Sequence, residues 1–178
     1  MRDSKMKIGV YCGRFNPPHK GHLALIKRLK GKVGRLVIVI GCSELRNQKR
    51  NPFSGSERKR MLEAYLKELG IRGVQVVNLS NRGPYSHAIK NLLGKYGGFD
   101  VLFNDNKTVA RLIGKRAKVV SFKRIGTVSS TMIRDRIAHG GEWESLTGKS
   151  VARLIRRFDG VRRIRNAYKT RWNGRISC

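Results

Sequence analysis

The sequence predicts an α/β protein: a parallel, doubly wound sheet of about five strands, followed by C-terminal helices. Two observations predict it. Short apolar runs rich in strand formers alternate with segments whose apolar residues recur at helical spacing. That alternation continues along the chain, separated by Gly and Pro clusters, which favours parallel strands joined by crossover helices.

The elements follow in order. Lys7 to Cys12 is a short apolar strand, and the loop after it holds Gly13, Pro17, Pro18 and Gly21. His22 to Leu29 carries Leu23, Ile26 and Leu29 at helical spacing. Arg35 to Gly41 is apolar without a break from Leu36 to Ile40, as a parallel strand buried on both faces must be. Ser56 to Leu69 places Met61, Leu62, Tyr65, Leu66 and Leu69 on one side of a helix that Gly70 stops. Val74 to Leu79 is the third strand, Ser86 to Tyr96 a helix, Asp100 to Phe103 the fourth strand and Thr108 to Ile113 a short helix. Lys118 to Phe122 is the fifth strand, and Thr131 to His139 a helix broken by Gly140 and Gly141. Ser145 to Phe158 and Val161 to Tyr168 read as terminal helices, the second running into a basic tail from Arg162 to Arg175. Ligands of such sheets bind at the carboxyl ends of the strands, so the loops after Cys12, Ile40, Leu79, Phe103 and Phe122 are the places to look.

At 178 residues and 39% hydrophobic, the chain suffices for one domain, 1–178, whose C-terminal segment from about 145 is helical and basic. No run of 18 apolar residues occurs and the start is charged, so a cytoplasmic protein with no membrane partner is expected. Cys12, Cys42 and Cys178 are an odd set, read as reduced thiols, with Cys12 and Cys42 as small apolar filler near strand ends. Forty basic residues oppose 11 acidic ones, a net charge of +29 that attracts polyanions. Both a nucleotide with its phosphates and a nucleic acid meet that description.

GRFNPPHKGH follows the first strand directly, with His19 and His22 three residues apart at the entrance of the first helix. The first turn of a helix offers free N–H groups and a positive dipole end, so two imidazoles beside it suit phosphate oxygens. Gly21 lets a nucleotide approach the backbone, and Arg14 adds a fork-shaped phosphate donor. After the fifth strand, VSSTMIRDR supplies Ser129, Ser130 and Thr131 as caps or hydroxyl donors, with Arg134 one turn further on the same face.

HKGH resembles the H-x-G-H signature of the nucleotidyltransferase superfamily, whose fold is Rossmann-like. VSSTMIR resembles that superfamily's second signature, at the start of its last helix. FNPPHKGH and the NPFSGSER stretch, Asn51 to Arg58, resemble archaeal-type nicotinamide mononucleotide adenylyltransferases, and the resemblance runs over roughly residues 7 to 165. It implies transfer of AMP from ATP to a mononucleotide, with pyrophosphate released. His19, His22 and Arg134 are then the catalytic residues. Gly13, Arg14, Phe15, Gly21, Ser129, Ser130 and Thr131 bind ATP, and Arg50 contacts phosphate on the acceptor side. The family places an Asp and a Trp after the third strand. This chain has NLSNRGPYSHAI there, with Tyr85 near the Trp position and no Asp, and Asn106 after the fourth strand suits the acceptor's amide. No carboxylate cluster forms a metal cage, so magnesium would arrive with ATP. The family commonly forms homo-oligomers. Two other readings stay open: a sister enzyme using a flavin nucleotide, phosphopantetheine or CTP, and a basic nucleic-acid-binding protein on this scaffold.

Overall fold

The computed structural model describes residues 7–80, 98–104 and 107–169, together with positions 87, 91 and 94. Five parallel strands form one sheet: β1 (Ile8–Gly13), β2 (Arg35–Ile40), β3 (Val74–Asn78), β4 (Val101–Phe103) and β5 (Lys118–Val120), in the order β3-β2-β1-β4-β5. The order reverses between β1 and β4, which opens a crevice at the carboxyl end of β1. The helices are α1 (Lys20–Lys30), α2 (Gly55–Glu68), α3 (Lys107–Ile113), α4 (Ser130–Ala138), α5 (Lys149–Arg157) and α6 (Gly160–Lys169). Positions 87, 91 and 94 are helical, while the rest of the helix expected over 86–96 lies outside the described residues. This is the Rossmann-like α/β architecture that the sequence predicts.

Successive side chains of a strand point to opposite faces, and both faces are covered. Tyr11, Leu36, Ile38, Ile40 and Phe103 join the larger cluster, where Leu23, Met61, Ile133, Val151 and Ile164 arrive from the helices. Val10, Val37, Val39 and Leu102 face the smaller one with Phe99 and Ile113. β2 is buried from Leu36 to Ile40 without a break, which is why it reads as a continuous apolar run. α2 begins with a capping box: the Ser54 hydroxyl accepts from Glu57 N (3.2 Å), and the Glu57 carboxylate accepts from Ser54 N (2.7 Å).

Three expectations need correction. The fifth strand ends at Val120, where Asn104 N donates to its carbonyl. Phe122 turns instead onto Tyr11 in an edge-to-face contact with centroids 5.3 Å apart. Cys12 is a free thiol, as expected, but Cys42 is disulfide-bonded. The helix expected over Ser145–Phe158 is two pieces: a 3-10 turn over Glu144–Leu146 and then α5. Thr147 and Gly148 between them are extended. The Thr147 hydroxyl leaves the helical path to donate to Pro18 O at 2.8 Å, and Gly148 lies flat against the Tyr65 ring.

A Cβ on Gly148 would stand 2.3 Å from the Tyr65 ring, which is itself buried. Gly148→Ala must therefore push α5 off α2, and thermal unfolding should show a loss of roughly 1–3 kcal/mol, the usual cost of overpacking. A Tyr65→Leu second substitution should recover part of it.

Candidate active site

The loop from β1 to α1 contains Pro17 and Pro18, which have no N–H, and it leaves the sheet, so no strand ladder serves its carbonyls. Donors come from elsewhere in the chain. Gly41 N donates to Gly13 O (3.0 Å). Arg58 Nη1 donates to Arg14 O (2.8 Å), Arg134 Nη1 to Asn16 O (2.9 Å), Ser130 Oγ to Pro17 O (2.8 Å) and Thr147 Oγ1 to Pro18 O (2.8 Å). His19 O accepts the first helical bond, from Leu23 N at 3.2 Å. Asn16 adds its side chain: Oδ1 accepts from Phe53 N (3.2 Å) and Nδ2 donates to Phe53 O (3.3 Å). The NPF stretch, Asn51 to Phe53, therefore works as a strut under the loop. Arg163 of α6 holds it from the other side, donating to Pro52 O and pairing with Glu57 at 2.6 Å.

Arg58 is fully buried and has four carbonyl acceptors: those of Ser54 (3.2 Å), Arg14, Gly41 (2.9 Å) and Cys42 (2.8 Å). It fastens the loops after β1 and β2 to the start of α2. Burial lowers its pKa to about 10, so it stays charged at neutral pH.

The loop so held presents His19 and His22 as a stacked pair, ring centroids 3.6 Å apart. Phe15, buried and at positive φ, supports His22 from below with centroids 4.8 Å apart. Gly21 is required for a reason other than nucleotide approach: a Cβ there would meet the Ile125 carbonyl at 2.8 Å and the His19 ring at 3.2 Å. Burial, then Arg124, lowers the His19 pKa to about 4. Burial, then His19 and Arg124, pushes His22 well below the usual imidazole value. Both rings are neutral at pH 7, and a neutral imidazole donates from one nitrogen only.

These residues wall a cavity of about 270 Å3. Gly13, Arg14, Phe15, His19, Gly21, His22, Arg50, Ser129, Ser130, Thr131 and Arg134 all line it, so the residues named in the first, middle and last loops converge on one place. Tyr85 and Asn106 lie outside the described residues. Arg124 also lines the cavity, and the sequence reading missed it; its one visible mark is a basic residue between the fifth strand and the VSST segment. No carboxylate is in the lining. Among the described residues no group of three His, Cys, Asp or Glu side chains stands close enough to hold a metal. Ser129 is the cap of α4, accepting from Met132 N at 3.1 Å, while the Ser130 hydroxyl is committed to Pro17. The donors that α4 offers the cavity are thus the unpaired N–H groups of its first turn rather than that hydroxyl. Arg134, 6% exposed, also donates to Thr131 Oγ1 at 3.1 Å. His19 Nδ1, His22 Nδ1 and Arg134 Nε are buried without a protein partner, at a cost of roughly 1–3 kcal/mol each. A second cavity of about 250 Å3 adjoins the first through Arg50, Thr131 and Arg134 and reaches Lys49, Asp135 and Tyr168.

The chain belongs to the cytidylyltransferase-like family, which it matches over residues 10–136. It is 34% identical over 170 residues to the nicotinamide-nucleotide adenylyltransferase of Pyrococcus furiosus, covering 90% of this chain and 88% of that one. It is 35% identical over 164 residues to the protein of the same name from Methanosarcina mazei, covering 90% and 94%. In fold it is similar to a bifunctional NMN adenylyltransferase/ADP ribose pyrophosphatase from Francisella tularensis, crystallised with AMP and a manganese ion. That likeness has a TM-score of 0.75 at 20% identity, over 91% of this chain. The chain spans about half the length of that bifunctional protein.

The depressed histidines make a prediction about acid stability. Between pH 6.5 and about 4 the unfolded chain binds a proton at His19 that the folded chain refuses, so stability falls as pH falls through this window and levels off below it. One such shift corresponds to roughly 3 kcal/mol. Chemical denaturation of the parent and of His19→Asn at pH 7 and pH 4.5 should show the smaller acid loss in the variant. Equal losses would mean that His19 is protonated in the fold.

Proposed function

We propose that this chain is an adenylyltransferase that moves the AMP part of ATP onto the phosphate of nicotinamide mononucleotide or its nicotinate counterpart, giving NAD or its deamido form and pyrophosphate. One observation carries the reading. Two neutral histidines in ring contact and a buried arginine, each with one nitrogen unpartnered, stand in a cavity walled by arginines, without a carboxylate, beside the starts of α1 and α4. Such a site is built for several phosphates. The names of relatives at 34–35% identity over nine-tenths of this chain support the acceptor.

In this reading an ionised oxygen of the acceptor's phosphate forms a bond to the α-phosphorus of ATP. The bond from that phosphorus to the bridging oxygen breaks, and pyrophosphate leaves with the electron pair. No protein base is required, so rate comes from alignment and from stabilising charge on the phosphate oxygens. His19 and His22 donate to the α- and β-phosphate oxygens as neutral imidazoles. Arg134, Thr131 and the first turn of α4 hold the departing pyrophosphate, Arg14 and Arg124 flank the triphosphate, and Arg50 reaches the acceptor's phosphate. Tyr85 stacking on the pyridine ring and Asn106 bonding its amide make up the acceptor half. The lining offers hydroxyls and imidazoles but no carboxylate, which fits a cation carried in by ATP rather than a resident one; magnesium arriving so would supply charge neutralisation at the phosphates.

The test is product analysis by mass spectrometry after incubation with ATP, magnesium and a panel: nicotinamide and nicotinate mononucleotides, flavin mononucleotide, phosphopantetheine, and choline or glycerol phosphate with CTP. NAD or its deamido form is the expected product. His19→Ala and His22→Ala should each lower kcat by about 10²–10³, the effect of losing one donor to a developing charge. A dinucleotide from a different acceptor would keep the chemistry and replace the substrate, and absence of any product would refute the enzyme reading.

A further inference from the structure

The cleft uses only a small part of the chain's charge. The last 30 residues, 149–178, hold ten Lys and Arg and a single acid, Asp159. Within them, Lys149, Arg153, Arg156 and Arg157 are exposed on α5, and Arg162, Arg165 and Lys169 on α6. Elsewhere acids tend to neutralise such a face. Here they are engaged in the fold: Glu57 in its capping box and on Arg163, Glu68 on the N–H groups of Lys149 and Ser150, Asp100 on Ile8 N, Asp135 on Tyr168, and Glu142 on Ser145. Glu144 pairs with Arg156 and Asp159 with Arg162, while Arg153, Arg157 and Lys169 make no ion pair among the described residues. Arg153 and Arg157 are also one turn apart, where like charges repel.

We propose that the outward face of α5 and α6 is a second anion-binding surface, one that takes the sugar-phosphate backbone of nucleic acid without regard to sequence. Three features favour this partner. Backbone phosphates are bound mainly by neutralisation with Lys and Arg, and this face presents little else. Both helices are strongly amphipathic, but their apolar sides, with Val151, Ala152, Ile155 and Ile164, are buried in the core, so among the described residues of α5 and α6 no large apolar side chain is exposed to enter a lipid bilayer. None of the exposed basic residues of α5 and α6 lines either cavity, so the cleft and this face bind independently.

The experiment is fluorescence anisotropy of a labelled oligonucleotide, single-stranded and duplex, titrated with the full chain over a range of salt, with and without saturating ATP and magnesium. Affinity should fall linearly on logarithmic axes with rising salt, at about 0.9 per phosphate neutralised on duplex. It should be indifferent to sequence and survive saturating ATP. The triple variant Arg153→Glu, Arg157→Glu, Lys169→Glu should lose at least about tenfold in affinity and about three from the salt slope, with adenylyl transfer and Tm retained. A triple Gln variant should show the same trend more weakly, and charge reversal at Lys27, Arg28 and Lys32 should change affinity far less. Equal losses from both sets of reversals would mean diffuse attraction and overturn the surface. Competition by ATP would place binding in the cleft and overturn it as well. So would binding to phosphatidylserine vesicles without binding to the oligonucleotide. NAD synthesis is measured separately, so its failure and the failure of this proposal are distinguishable.

Discussion

The site depends on a single constraint: a loop with two adjacent prolines, outside any ladder, must have its carbonyl oxygens satisfied. Four acceptors, on Arg14, Asn16, Pro17 and Pro18, take donors from α2, α4 and the turn before α5. A buried carbonyl left without a donor costs about 1–3 kcal/mol, so the loop adopts its shape only when those distant segments are in place. The consequence is functional. With the carbonyls turned to protein donors, the imidazoles and the free N–H groups at the helix starts are what remain to face the cavity. Arg58 gives its buried fork to backbone carbonyls, while Arg134 gives one nitrogen to Asn16 O and one to Thr131 Oγ1 and keeps Nε unspent.

The second element of the account is electrostatic. Arg14, Arg50, Arg124 and Arg134 stand around one cavity without a counter-charge in its lining. Burial first, with Arg124 adding to it, holds the two histidines neutral, the cheaper adjustment for a group that ordinarily titrates near neutrality. In the proposed reaction the triphosphate of ATP would supply the missing counter-charge. The same excess of basic charge extends over α5 and α6, away from any nucleotide.

Much of this was legible in the sequence, for identifiable reasons. The β2 run, the apolar stripe of α2 and the Ser54–Glu57 box are local patterns, and local patterns fix local structure. The place of His19, His22, Ser129, Thr131 and Arg134 in the cavity lining is legible because each belongs to a motif at the start of a helix. What was not legible depends on contacts across the chain. Nothing local marks Arg58 as buried, since its acceptors lie up to 44 residues away, nor Thr147 as the partner of Pro18, 129 residues distant. Gly148 was read through as helix because its constraint, the Tyr65 ring, is on another element. Ser130 was assigned to phosphate from its place in the motif, yet its hydroxyl is held by Pro17. Arg124 lacked a motif altogether.

Thr147 offers the most direct test of the loop constraint, because its hydroxyl touches the Pro18 carbonyl and lines neither cavity. Thr147→Val keeps the shape and removes the donor. The measurement is steady-state adenylyl transfer by this variant alongside its unfolding curve. The expected result is a cooperative fold with kcat/KM reduced by a factor of roughly 5 to 150, the equivalent of 1–3 kcal/mol at the loop. Unchanged kcat/KM in a folded Thr147→Val protein would contradict it.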